Sequence, residues 1–193
     1  MVTVRSNSRA MTTARDQVLT QLIDDHKRIK KAYKDFQKLG ADSDPAQREA
    51  LVQRVLKELS IHAALEEELL YPAAHGVAEE GLVDEAEVEH ESVHALIEQL
   101  EGMAPEDEKY AARFTVLCEY VLHHVKEEEG EMFPQLAQGR MDWPSLAEQM
   151  TRRRAELGAA ADEESAMSAN NAASRKPPTS AGRSSKNLAP KAG

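Results

Sequence analysis

The sequence predicts an all-α protein, an up-down-up-down four-helix bundle with a short C-terminal helix and disordered tails. Three observations predict it. Of the 193 residues 41% are apolar but only 4% aromatic, so the core must come from Leu, Val, Ala and Ile, which suits helices better than sheets. Apolar residues recur at three-to-four spacing through four long segments divided by Gly and Pro. The second and fourth segments close on the same short pattern, so the chain carries an internal repeat.

The first helix is expected from Thr13 to Leu39, with Leu19, Leu22, Ile23, His26, Ile29, Tyr33 and Phe36 along one stripe. Thr13 with Asp16 reads as its N-cap and Gly40 as its end. Asp44-Pro45 opens the second helix, where a missing proline N–H costs nothing. Leu51, Val52, Val55, Leu56, Leu59, Leu65, Leu69 and Leu70 carry it to Pro72, with an end near Gly76. The third runs from Glu79 to Glu101 and stops at Gly102; the fourth starts at Ala104-Pro105-Glu106 and reaches Phe133-Pro134. Trp143-Pro144 opens a short accessory helix to Leu157. The expected organisation is therefore a disordered segment 1–12, a bundle domain 13–140, an accessory helix 141–157 and a disordered Ala/Ser/Lys/Pro-rich tail 158–193.

Charge narrows the function. The net charge is -10, yet Arg5, Arg9 and Arg15 face no acid in residues 1–15, nor do the five cations of residues 165–193, so the body between carries about -18. So acidic a body repels a phosphate backbone, and no nucleic-acid partner is expected. No apolar stretch approaches a membrane span, and the N-terminus lacks the apolar region of a secretory signal. A cytoplasmic location and a monomeric state are the expectations. The single cysteine, Cys118, lies in the apolar run Phe114–Leu122 and reads as a core thiol.

The repeat carries the chemistry. His62-Ala-Ala-Leu-Glu66, ending on Tyr71-Pro72, recurs as His124-Val-Lys-Glu-Glu128, ending on Phe133-Pro134. Asp25-His26 and Glu89-His90 supply matching acid–His pairs in the preceding helices. His123 also has a Glu four residues on, but only His124 keeps the distance to the aromatic-Pro ending that His62 keeps. Residues four apart stack on one helical face, so each His-x3-Glu helix can offer two ligands to one metal. With His26 and His90, four imidazoles and two carboxylates converge. That exceeds a closed zinc site and suits iron or manganese, with Glu66 and Glu128 bridging two ions and a position left open for a small molecule.

His26, His62-x3-Glu66, His90 and His124-x3-Glu128 resemble the hemerythrin/HHE cation-binding family over about residues 15–138. The ferritin-like pattern, Glu-x-x-His, has the opposite order and a spacing of three. The resemblance implies a hemerythrin-like bundle holding two non-haem iron ions, oxo- or hydroxo-bridged, with manganese as the alternative metal. It implies a small diatomic or peroxide ligand. Binding or sensing of O₂ or NO is the leading expectation; peroxide disproportionation, NO reduction, and iron storage or donation for iron–sulfur repair are the alternatives. His94 stays open: His90-x3-His94 resembles the oxygen carriers, whereas its repeat mate Lys30 fits the symmetric HHE pattern. The full set of candidate ligands is thus His26, His62, Glu66, His90, His94, His124 and Glu128. Glu67 and Glu129 adjoin ligands and can tune them. Tyr120, one turn before His124, is a candidate pocket residue, with Tyr33 behind it; His75 reads as a surface residue.

Overall fold

Pro45 takes the first position of a helix, and the Asp44 side chain before it accepts the Ala46 N–H at 3.0 Å. That cap starts the second helix of a computed structural model that describes residues 2–40 and 43–174, with side-chain surroundings described for 9–40 and 43–163. Among the described residues every regular element is helical.

Helix α1 spans Val2–Leu39 and is closed by Gly40, whose φ of 70° is open to glycine at no steric cost. Helix α2, Pro45–Leu65, passes through a π turn, Glu66–Leu70, into α3, Tyr71–Ala74. Helix α4 is Glu80–Glu101. Helix α5, Tyr110–Glu127, passes through a second π turn, Glu128–Met132, into α6, Phe133–Gln138. Helix α7 is Trp143–Ser174. Helices α1, α2, α4 and α5 pack in a ring in chain order, and α7 lies along the α1/α2 edge.

The apolar core is divided. One layer gathers Leu22, Leu65, Leu70, Phe133, Leu136, Trp143 and Met150; the other gathers Ile29, Phe36, Val52, Leu56, Phe114, Leu117 and Val121. His26 sits between Leu22 and Ile29 on α1, so the candidate ligands form a polar stratum between two apolar ones. Each fully buried large side chain contributes roughly 1.5–3 kcal/mol, which favours the packing of both layers around that stratum.

Three boundaries differ from expectation. Helix α1 starts at Val2 instead of Thr13, whose hydroxyl donates to Arg9 O at 2.9 Å inside the helix in place of capping it. Arg9, Ala10, Thr13 and Ala14 share a cleft with Pro144, Ala147 and Thr151 of α7, and Gln17 bonds to Thr151 at 3.4 Å, so tertiary contact supports the helix ahead of Gln17. The accessory helix is not short: Gly158 is interior, and the Ala- and Glu-rich stretch after it continues the helix to Ser174. The remainder of the expected tail, 175–193, lies outside the described residues. Lastly, α5 begins at Tyr110, because Asp107 ties residues 104–110 into turns, accepting from Ala104 N–H through its carboxylate and from Tyr110 N–H through its carbonyl.

Candidate metal centre

The two π turns place the repeat glutamates. A proline ring clashes with the carbonyl four residues back, here Glu68 for Pro72 and Gly130 for Pro134. Widening the turn relieves the clash: the Tyr71 N–H reaches Glu66 O and the Phe133 N–H reaches Glu128 O, five residues back. Each widened turn begins at its glutamate, and both glutamates are buried at 1% exposure or less.

Around them the four imidazoles turn Nε2 inward. His26 Nε2 lies 3.1 Å from His62 Nε2 and 3.3 Å from Glu128 Oε2, while His62 Nε2 lies 3.1 Å from Glu66 Oε2. On the other side His90 Nε2 lies 3.1 Å from His124 Nε2 and 3.6 Å from Glu66 Oε2, and His124 Nε2 lies 3.5 Å from Glu128 Oε2. Glu66 and Glu128 therefore each face both histidine pairs, and two groupings of ligand atoms share Glu66.

An outer ring of carboxylates holds the imidazoles from behind. His26 Nδ1–H donates to Glu129 at 2.9 Å, His90 Nδ1–H to Glu67 at 2.8 Å and His124 Nδ1–H to Glu89 at 2.8 Å. His62 Nδ1 is 3.4 Å from Asp25 Oδ2, an ion-pair distance without hydrogen-bond alignment. The three hydrogen-bonded acceptors fix the tautomers of His26, His90 and His124, leaving their Nε2 lone pairs to face the centre. The repeat is thus obeyed twice over, by the inward-facing histidines and glutamates and by the acids behind them.

Electrostatics follow from burial. Burial drives the His62 imidazole down to about 4 against the pull of Asp25. Burial and the neighbouring Glu128 charge push Glu66 well above the usual carboxylate range. Glu128 goes to about 2, since the raising effect of burial is outweighed by His124 and His26. Asp25 is likewise lowered: burial opposes, but His62 and Arg154 prevail. Glu66 Oε1 and Oε2 and Glu128 Oε2 have no hydrogen-bond partner. The His90 and His124 Nε2 atoms, both acceptors when their Nδ1 protons are given to Glu67 and Glu89, and the orphaned buried carboxylate oxygens are costly unless a cation lies among them. The donor set, imidazole and carboxylate without thiolate, fits a metal such as iron or manganese.

Other expected residues lie elsewhere. His94 stands outside the convergent group, 47% exposed at its side chain, with Nε2 2.7 Å from Glu67. Tyr120 is 41% exposed and does not enter the site. Four residues turn a helix by ~400°, so each lies about 40° further round than its histidine. His90 and His124 already stand at the rim of their buried faces, so the extra rotation carries both side chains out. His123 is exposed and pairs with Glu127 at 3.2 Å; His75 is exposed and pairs with Glu80 at 3.1 Å. Tyr33 lies in the far apolar layer, its hydroxyl 3.5 Å from Glu119.

The residue that sequence reasoning missed is Tyr71. Its hydroxyl donates to Glu128 Oε1 at 3.1 Å and lies 3.1 Å from His90 Nε2 and 3.4 Å from His124 Nε2. Burial and Glu128 hold this phenol protonated, well above its ordinary value. Its repeat mate Phe133 stacks on His26, ring centroids 5.9 Å apart. The aromatic-Pro ending carries the signal, since Tyr71-Pro72 bears the hydroxyl that Phe133-Pro134 lacks.

Among solved structures, a hemerythrin HHE cation binding domain-containing protein from Mycobacterium kansasii is similar, with a TM-score of 0.61 and 26% identity over 74% of this chain and 88% of that one. Among curated proteins, a DNA nickase of Nostoc sp. is 31% identical over 98 residues, 51% of this chain but 28% of the nickase. The alignment thus spans under a third of that relative's length. No helix among the described residues is long and apolar enough to cross a membrane. The family described as Hemerythrin HHE cation binding domain matches residues 17–136, the span that holds all the inward-facing histidines and glutamates. This chain belongs to the hemerythrin HHE cation-binding domain family.

Proposed function

We propose that the protein holds two non-haem iron ions and binds a small oxygen or nitrogen species such as O₂, NO or peroxide. His26 and His62 would hold one ion and His90 and His124 the other, with Glu66 and Glu128 shared. The observation that carries this reading is the convergence of four buried Nε2 atoms on two glutamates, three of whose four carboxylate oxygens lack a hydrogen-bond partner. When bound, the iron pair supplies the electrons and coordination that such a species requires.

The chain's own residues do the rest. Glu67, Glu89 and Glu129 orient the imidazoles by accepting their Nδ1 protons. The apolar layers on either side exclude bulk water. A cavity of about 10 Å³, bordered by Ala86, Glu89, His124, Glu128 and Met132, adjoins the His124 side. That volume is at the lower limit for a single water, so a diatomic or peroxide would enter only as the surrounding side chains give way.

Tyr71 favours a second reading, an enzyme that disproportionates peroxide. Its hydroxyl is the one protonated side-chain O–H set against both the His90/His124 pair and Glu128, where it can give up and recover a proton. Anaerobically reduced, iron-loaded protein exposed in turn to O₂, NO and H₂O₂ tests both readings. A visible band that forms with air or NO and fades on degassing supports reversible binding. Steady O₂ evolution from peroxide, slowed in Tyr71→Phe, supports the enzyme. Protein that stays spectrally silent to all three contradicts both.

A further inference from the structure

The two histidine pairs are alike in their donors and unlike in the charge behind them. Glu129, which accepts from His26, also accepts from Lys30 Nζ at 3.0 Å. Asp25, which faces His62, is held by the guanidinium groups of Arg28 and Arg154. On the other side, Glu67 pairs among the described residues with imidazoles alone, His90 and His94 at 2.8 and 2.7 Å. Glu89 accepts from His124 at 2.8 Å and has His123 at 3.9 Å, itself paired with Glu127 at 3.2 Å. Among the described residues no ammonium or guanidinium pairs with Glu67 or Glu89.

The repeat makes this a difference in sequence. Lys30 stands where the other copy has His94, and Ile61 stands where it has His123. Arg154 comes from α7, beyond the residues 17–136 that the family pattern covers.

A carboxylate behind a ligand imidazole strengthens that ligand and adds negative charge near the ion. A permanent cation on the carboxylate offsets both effects. We propose that the two metal positions bind unequally: the His90/His124 position takes its ion first and more tightly, and the His26/His62 position, backed by Lys30, Arg28 and Arg154, takes the second, more exchangeable one. This inference rests on the dinuclear reading above. The cations are partly exposed, at 36%, 51% and 29% for Lys30, Arg28 and Arg154, so solvent moderates their effect. Intrinsic affinities about tenfold apart are expected.

Full-length metal-free protein titrated with cobalt(II) at pH 8, followed by calorimetry and visible absorption, tests the order. Two ions sharing Glu66 and Glu128 repel each other, so stepwise binding by itself does not decide. His26→Ala leaves only the His90/His124 position and His124→Ala only the other, which removes the repulsion. The expected result is one ion in each variant, held about tenfold more tightly in His26→Ala. Adding Lys30→Met or Arg154→Met to His124→Ala is expected to tighten its single ion several-fold, with circular dichroism unchanged. In the parent, Lys30→Met is expected to strengthen the second event and leave the first in place. Equal affinities in the two histidine variants, or a Lys30→Met effect confined to the first event, overturn the ordering and leave the dinuclear reading standing. A parent protein that takes up a single ion overturns both.

Discussion

Glu66→Gln should reverse sign with metal. Glu66 is buried with neither oxygen hydrogen-bonded, and burial and the Glu128 charge oppose its ionisation unless a cation is bound. A buried polar group without a partner costs about 1–3 kcal/mol, and more when charged. Glutamine removes the charge and offers an N–H to the Glu128 carboxylate. The chelator-treated variant should therefore be more stable than the parent by about 1–3 kcal/mol, a rise of roughly 2–12 °C in Tm for a chain of this size. Burial raises the folded-state pKa of Glu66 above its ordinary 4.5, so its favourable contribution is present below that value and lost as pH rises through the raised pKa. The parent should accordingly lose metal-free stability with rising pH, and the variant should lack that loss. Metal inverts the ranking. At a free concentration of about 100 Kd each bound ion adds about 2.7 kcal/mol to the parent, and an amide in place of a shared carboxylate forfeits much of that. Thermal denaturation followed by circular dichroism, with chelator and with excess metal, reads both signs. A variant less stable than the parent in chelator, or one gaining the full metal increment, refutes the reasoning.

Other outcomes follow from the same geometry. His94→Ala should retain both ions, whereas His62→Ala should lose one; elemental analysis after desalting distinguishes them. Leu22→Ala empties a fully buried site in the layer beneath His26 and should cost about 2–5 kcal/mol in urea unfolding. A smaller loss would indicate that the layer collapses around the gap. Burial pushes the Cys118 thiol up to about 12, so at pH 8 an aromatic disulfide reagent should react only as fast as the protein opens. Immediate labelling of the native protein would contradict that burial.

The sequence was most legible where two constraints coincided. His62–Glu66 and His124–Glu128 were readable because helical stacking and the internal repeat both demanded them, and the repeat separated His124 from His123. The acid–His pairs Asp25-His26 and Glu89-His90 were visible for the same reason, and the structure sets each acid behind a histidine of the adjoining helix: Asp25 faces His62, and Glu89 accepts from His124. Where one constraint acted alone, the sequence left more open. Tyr120 and His94 satisfied only the one-turn rule, which ignores how far round the buried face their neighbours stand. The early part of α1 faces the start of α7, and α7 past Gly158 lies along α2, where Lys57 pairs with Asp162; both are tertiary effects with little trace in Ala-rich sequence. The π turns were signalled by Pro72 and Pro134, but a proline marks a helix end as readily as a widened turn. Tyr71 was hidden because its repeat mate is Phe133, and a single hydroxyl breaks the symmetry that exposed everything else.

The most direct test of the central claim is the iron content of full-length protein reconstituted with ferrous iron without oxygen, desalted and analysed per chain. Two irons per chain, falling to at most one in His62→Ala and in His124→Ala, is the predicted result. One ion per chain in the parent, or zinc retained in preference to iron, would contradict a centre built from four histidines and two shared glutamates.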